Sequence, residues 1–547
     1  MINMGRVRQY KYKISFLLII CLIISIFFSL YKIDQVPPCL NADEAAHGYN
    51  AYSMLKTGRD EYGNFLPTRL VSFLDYKLPL YSYLSIPIIA IFGLSDFSTR
   101  FLNILVALSF VPLMYWLSNE LFNNKKISIL ASFFVSCSPW VFILTRHAHE
   151  GALSSAFILL SLIYLIKFHK QRSLLNFIVC NGALLGAGFS YHTARLFFPV
   201  FVFIQLYLLF PKNRKIFRNN LLMYLILFIT VIFTFYPDFH YGANRVANLF
   251  YLRNSGFQSR LLEYRTEHGN PFVHNVITES IRDVSFRYLQ QLSPDFLIIN
   301  GDKNWRFGFQ NIGLITPIEY LFIFVGIGYM LLRKERYRWF VGLFMIISPL
   351  PNALTWQDAS ITRSYFLIFP MIFFTSYGVY YLYKDLSNNL QRNKLYLIST
   401  SLIILFCFFL YNSFDVYFNH YPKRALTIRA WQCGYKELVQ YIADNYSKFE
   451  TFYITDRHGQ PYIFLLYYLQ YDPEKYQKMA KISAPDKYGF GQIYKFDKFV
   501  FDINVNLKAK KQVFIGYPEA FNDMPIDKNK IKHIKVGTED IFWIWET

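Results

Sequence analysis

The sequence predicts a mainly α-helical, polytopic membrane protein with about eleven transmembrane helices and a smaller α/β domain at the C-terminal end. Three observations carry that prediction. Of 547 residues, 54% are hydrophobic and 20% aromatic while only 17% are charged, too apolar a mixture for a soluble multidomain chain. Apolar runs close to the ~20 residues that cross a bilayer recur as far as residue 414. The basic residues between those runs cluster in a pattern that one topology satisfies.

The runs lie near 14–31, 78–94, 98–118, 127–144, 151–168, 174–190, 196–210, 220–236, 314–332, 339–355, 363–383 and 395–414. The first follows a basic segment, as a signal peptide would, but is longer than such a core and has no small-x-small cleavage site, so it reads as a retained helix. Between the runs, 20 Lys and Arg fall in six short segments: Arg6 to Lys13, Lys125/Lys126, Lys167 to Arg172, Lys212 to Arg218, Arg333 to Arg338 and Lys384 to Lys394. All six fall on the cytoplasmic side only if one early run does not cross. The run 78–94 is the candidate, because it is short and carries Pro79 and Pro87, and it reads as an interfacial or re-entrant segment. The result is a multi-pass protein of the cell (plasma or inner) membrane, N-terminus cytoplasmic and C-terminal domain extracytoplasmic. The net charge of +20 belongs to these loops rather than to a nucleic-acid surface.

This topology leaves a first outer loop, 32–97, and a long outer loop, 237–313, within a membrane domain spanning 1–414. Residues 415–547 form the extracytoplasmic domain, where strand-like "TFYIT", "KFVFDI" and "QVFIGY" alternate with helix-like "KELVQYIADNY". Cys21, Cys137, Cys180 and Cys407 lie inside apolar runs as packing residues, whereas Cys39 and Cys433 lie in outer segments and could pair.

Polar residues gather at the outer ends of the spans. The first loop holds Asp43, Glu44, His47, Asp75 and Lys77; the next outer turn holds Arg146, His147, His149 and Glu150; a third holds His192 and Arg195. The long loop adds Arg245, Asp302, Lys303 and Arg306, and a last turn adds Asp358 and Arg363. Taken singly, each has a plain structural reading. Asp43 suits a helix N-cap, a lone arginine suits a lipid headgroup, and no pair of histidines has the spacing of a known metal site. Taken together, they suit a reaction on an anionic lipid head. Arginine and lysine bind a phosphate and stabilise it as a leaving group, and a carboxylate takes the proton of an attacking hydroxyl.

Two stretches then acquire significance: "NADEAAHGYNAYSMLKTG" followed by "YKLPLYSYLSIPIIAIFGLSDFSTRFLN", and "SPWVFILTRHAHEGAL". They resemble the GT-C glycosyltransferases, in particular the bacterial relatives of dolichyl-phosphate-mannose protein mannosyltransferases and the lipid A aminoarabinose transferases. The resemblance implies a GT-C-type membrane domain over residues 1–415 and transfer of a hexosyl or pentosyl group from a polyprenyl-phosphate sugar. The acceptor is a protein, glycan or lipid, and transfer inverts the anomeric carbon in one displacement. Asp43 matches the family's first-loop acid, expected to act as general base or to hold the acceptor, with Glu44 its neighbour. Glu150 stands where the family has a second acid. Lys77 matches the lysine that approaches the donor phosphate, with Arg146, His192 and Arg195 as further phosphate contacts and Arg100, Arg306 and Arg363 as additional candidates. In the aminoarabinose branch an acid directly precedes the lysine; here that place is Tyr76, which sets the chain apart from that branch's metal site. The sequence demands no cofactor, and a divalent metal is admissible. The alternative is a transporter or flippase of lipid-linked sugars, which fits less well with charges concentrated at one outer face and no repeat symmetry. A membrane-anchored sensor would explain the C-terminal domain but not the first loop.

Overall fold

In a computed structural model, described over residues 3–73, 75–210, 214–241, 250–457, 459–482, 493–502, 510–522, 524 and 526–547, the apolar runs become helices whose ends follow local chemistry. Six are long and apolar enough to cross a membrane: Asp96–Phe122, Glu150–Gln171, His192–Leu209, Arg218–Asp238, Tyr365–Asn389 and Arg392–Lys423. The pair Lys125–Cys137 and Pro139–Thr145 would make a seventh span, bent by 53° where Pro139 cannot donate a helix hydrogen bond. Ile14–Leu30, Leu174–Ser190 and Pro317–Leu332 are shorter apolar helices. The segment expected not to cross is the helix Leu80–Phe92, whose 13 residues reach only about 20 Å against a hydrocarbon core of about 30 Å. The run 339–355 differs from a single span: it divides into Arg338–Ile347 and Leu350–Ala353, with Pro349 and Pro351 at the break. The chain is thus a mainly helical multi-pass protein with a small C-terminal sheet.

It divides into two units. The first comprises 1–31, 103–145 and 149–416. Within it Glu150–Gln171 pairs with Leu174–Ser190, and Pro317–Leu332 with Tyr365–Asn389. The second pair crosses at glycines: a Cβ on Gly326 would lie 1.9 Å from the Phe374 carbonyl oxygen, so only a residue without a side chain allows the backbones so close. Phe168, Phe177, Leu209 and Leu227 form a buried apolar cluster, whereas Leu397, Ile403, Ile404 and Phe408 stay exposed, as lipid-facing residues do.

The second unit comprises 32–102, 146–148 and 417–547, so that the first outer loop and the C-terminal region fold together. The loop supplies the helix Ala42–Thr57, an antiparallel hairpin of β1 (Leu70–Ser72) and β2 (Asp75–Lys77), and Leu80–Phe92. The C-terminal region supplies β3 (Thr451–Ile454), β4 (Lys481–Ile482), β5 (Ile493–Phe496), β6 (Phe499–Val500), β7 (Gln512–Gly516), β8 (Lys532–Val536) and β9 (Glu539–Glu546). They form one sheet in the order β4-β5-β6-β3-β7-β9-β8, with β3 parallel to both β6 and β7 and the other pairs antiparallel. The predicted helix appears as Tyr435–Asn445, burying Leu438, Val439 and Ile442 at the i, i+1, i+4 spacing of one helical face.

The contact between loop and C-terminal region is intimate. The helix Pro461–Tyr468, buried along almost its whole length, packs on Ala42–Thr57. Gly48 makes room for it, since a Cβ there would meet the Tyr467 ring at 2.6 Å. The Tyr467 hydroxyl shares a 2.7 Å hydrogen bond with Thr99, the Tyr49 hydroxyl donates to the Tyr471 carbonyl, and a Cys39–Cys433 disulfide joins the two segments covalently.

Candidate functional site

The helix Ala42–Thr57 determines which first-loop acid is available. Its N-cap is Asn41, not Asp43 as the sequence suggested. The Asn41 side chain accepts from the backbone N–H groups of Asp43 and Glu44, and the Glu44 carboxylate in turn accepts from the Asn41 N–H, completing a capping box. Asp43 therefore occupies the second helical position with its carboxylate unused by the cap. That carboxylate accepts from the Lys77 ammonium at 2.8 Å. The two partners differ in exposure: the Asp43 side chain is 54% exposed and that of Lys77 only 4%. Lys77 is held from below, its ammonium 4.5 Å from the centre of the Phe73 ring and its backbone in β2. The unit thus brings together an exposed acid and an enclosed cation 34 residues apart in sequence.

Glu44 is in the opposite situation. It is fully buried and accepts from the Arg100 guanidinium through both oxygens, at 2.9 and 3.1 Å, and from the Ala148 N–H at 2.8 Å. Arg100, itself buried, also donates to the carbonyls of Ile33 and Cys39. Arg146 is wholly enclosed, donating to the Val36 carbonyl and lying 4.8 Å from the centre of the Phe418 ring; burial pushes its guanidinium down to about 10. Glu44, Arg100 and Arg146 thus tie the start of the loop, the Asp96–Phe122 helix and the 146–148 turn into one buried polar knot.

Glu150, His192, Arg195, Asp302, Lys303, Arg306, Asp358 and Arg363 belong to the first unit, whereas His47, Asp75 and His147 belong to the second. Glu150 stands in the first turn of Glu150–Gln171, capped by the His149 ring, which accepts from the Gly151 N–H. The His149 ring packs against Tyr191, next to His192, and against Phe307, next to Arg306, so three interhelical segments meet there. Arg195 donates to the Gly188 carbonyl and pairs with Asp238. Asp302 is buried and accepts from the Asn304 and Ile361 N–H groups, joining the long loop to the turn that carries Arg363, which bonds to Gln357. Burial raises the Asp302 carboxyl to about 6. Arg245 and the side chain of Asp75 lie outside the described residues. Among the described residues, no three His, Cys, Asp or Glu side chains are grouped as a metal site would require.

One carboxyl in the second unit escaped the sequence reading. Glu61 follows "TGRD" in what reads as an exposed turn, yet it is buried and accepts from the Tyr462 hydroxyl at 3.3 Å. No local pattern marks it, because the groups that enclose it come from the far end of the chain.

This architecture has known counterparts. The chain has an ArnT-like fold of the GT-C type. More particularly, residues 77–237 match the dolichyl-phosphate-mannose-protein mannosyltransferase family. ArnT from Cupriavidus metallidurans in the apo state is similar over 98% of both chains, with TM-score 0.53 and 10% identity. The same protein bound to undecaprenyl phosphate is similar over 97% of both, with TM-score 0.54 and 9% identity. The oligosaccharyltransferase AglB from Archaeoglobus fulgidus, in complex with an inhibitory peptide and a dolichol-phosphate, is similar over 84% of this chain and 64% of its own, with TM-score 0.50 and 14% identity. No curated protein matches in sequence.

Proposed function

We propose that the protein is an integral-membrane glycosyltransferase that moves a sugar from a polyprenyl-phosphate donor to an extracytoplasmic acceptor. The observation that carries this reading is the Asp43–Lys77 pair, a half-exposed carboxylate 2.8 Å from an enclosed ammonium. In this reading the ammonium receives the donor phosphate and the carboxylate receives a proton. An arriving phosphate competes with Asp43 for Lys77, so donor binding releases the carboxylate at the moment an acceptor hydroxyl needs it. In the step itself the acceptor oxygen forms a bond to the anomeric carbon, the bond from that carbon to the phosphate oxygen breaks, and its electron pair leaves on the phosphate. Asp43 takes the hydroxyl proton. One displacement inverts the anomeric centre.

Glu44 belongs to this reading as a positioning group, because its oxygens already hold Arg100, Ala148 and the helix cap. Glu150 stands as the second acid, and Arg195 and His192 as lipid-phosphate contacts, on the resemblance of their sequence segments. The Cys39–Cys433 disulfide supports an oxidising, extracytoplasmic setting for the first loop and the C-terminal domain. Residues 415–547, packed on the helix that carries Asp43, are suited to select the acceptor.

The test is transfer by purified Asp43→Asn, given the polyprenyl-phosphate sugar that co-purifies with the wild type and is identified by mass spectrometry. Loss of a general base should cost about 10²–10⁴-fold in rate with insertion and yield unchanged. Full transfer by this variant would remove Asp43 from the chemistry.

A further inference from the structure

Glu61 sits beneath the proposed donor site and has no part in the steps above. Its backbone N–H donates to the Asn50 side chain at 2.9 Å, and Asn50 in turn donates to the Ala46 carbonyl, so the Glu61 loop is fastened to the helix that carries Asp43. The preceding Asp60 turns the chain inward: its carboxylate accepts from the N–H groups of Tyr62 and Asn64. The Glu61 side chain is buried, and residues of several segments act on it. Tyr49 comes from Ala42–Thr57, Ser72 from β1, and Tyr462 and Tyr476 from the C-terminal region, with Tyr62 alongside. The cation that acts on this carboxyl is Lys77, and the anion that repels it is Asp60. The Phe73 ring links the two sides, lying under the Lys77 ammonium and 6.0 Å from the Tyr462 ring whose hydroxyl donates to Glu61.

Lys77 therefore acts on two carboxyls: its ammonium hydrogen-bonds the half-exposed Asp43 at 2.8 Å, and its charge also reaches the buried Glu61, with the Phe73 ring between them. We infer that Glu61 is a positioning residue for the Lys77 ammonium: neutral, it leaves Lys77 turned toward the donor phosphate, and ionised, it draws Lys77 away. The burial of the carboxyl and the proximity of Asp60 push it up to about 8, so it is largely protonated at neutral pH and ionises over a mildly alkaline range. A tyrosine hydroxyl as its neighbour suits both forms. The consequence is a phosphate site that weakens with rising pH as Glu61 ionises. This inference rests on the reading of Lys77 as the donor-phosphate contact.

The experiment measures binding of farnesyl phosphate, a short polyprenyl phosphate, to the full-length protein in detergent from about pH 7 to about pH 9. The probe's second ionisation, near pH 6, lies outside that window. Wild type should lose affinity by about tenfold or more across it, because coupling between a charge and a binding event is reciprocal. Glu61→Gln, a permanently neutral isostere, should bind equally well at both ends. A wild type whose affinity is flat, or a Gln variant that falls as steeply as wild type, overturns the inference. If Glu61→Gln does not fold, Glu61→Asp serves: a shorter carboxyl farther from Lys77 should flatten the profile, and an unchanged profile overturns the inference. Absence of binding by wild type at every pH would instead remove the donor-phosphate reading of Lys77. A normal pH response combined with full transfer by Asp43→Asn would leave Glu61 standing and displace only the base.

Discussion

Glu44 and Arg100 form a two-point ion pair, 2.9 and 3.1 Å, with both side chains buried. The pair sits one residue from Asp43 and anchors the helix that presents it. Removing one partner leaves the other charge buried and uncompensated, which costs about 3–5 kcal/mol. Glu44→Gln and Arg100→Ala are therefore expected to lower the thermal midpoint and the yield of folded protein. Asp43→Asn, at a half-exposed position, should leave both unchanged. Thermal scanning in detergent compares the three; a Glu44→Gln protein as stable as wild type but inactive would move Glu44 from scaffold to chemistry.

Lys77 is expected to act on donor binding rather than on insertion. Deleting one charge-assisted contact costs about 1.5–3 kcal/mol, so Lys77→Ala should weaken donor affinity at least about tenfold. Lys77→Arg tests geometry. A compact ammonium lies against the Phe73 ring, and a planar guanidinium in the same place should recover only part of the affinity. Donor KM unchanged in both variants would separate Lys77 from the phosphate.

The helix Leu80–Phe92 decides the orientation of everything after it. At about 20 Å it is too short for the hydrocarbon core, and Pro87 lies inside it. Single cysteines introduced near residues 100 and 124 into a background without the free thiols should therefore react on opposite sides, the first with an impermeant outer reagent and the second only after permeabilisation. The reverse pattern, with the N-terminus still cytoplasmic, would make Leu80–Phe92 a span.

These predictions draw unequally on the sequence. The helical class and the C-terminal strands were legible because hydrophobic periodicity encodes them locally; the first-loop signature singled out Asp43 and Lys77 one by one, but not that they would form an ion pair. The identity of the cap was misread: both Asn41 and Asp43 are good N-cap residues, and only the reciprocal bond from Glu44 distinguishes them. The difference in fate between Glu44 and Asp43 was hidden for a related reason, since adjacent helix positions face different neighbours and nothing local says that Arg100 will arrive at one of them. Cys39 and Cys433 were recognisable as a pair by location but not by spacing, being 394 residues apart. Glu61 was invisible altogether, because its enclosure depends on Tyr462 and Tyr476, supplied by a part of the chain with no motif.

Asp302 offers a test of the long outer loop through pH. Burial raises its carboxyl from 3.8 to about 6, while the Asn304 and Ile361 N–H groups pull the other way. A carboxyl whose folded value is raised stabilises the fold fully below the unfolded value and loses that contribution as pH rises through the folded one. For Asp302 the loss falls between about pH 4 and about pH 6 and amounts to about 3 kcal/mol. Asp302→Asn keeps one acceptor oxygen but cannot ionise, so its stability should not follow this curve. Denaturant unfolding of wild type and variant at several pH values should show wild type favoured most at the acid end, with the gap narrowing toward neutrality. A gap that stays constant from about pH 4 to about pH 7 would mean that Asp302 is ionised throughout and that its two backbone hydrogen bonds outweigh its burial.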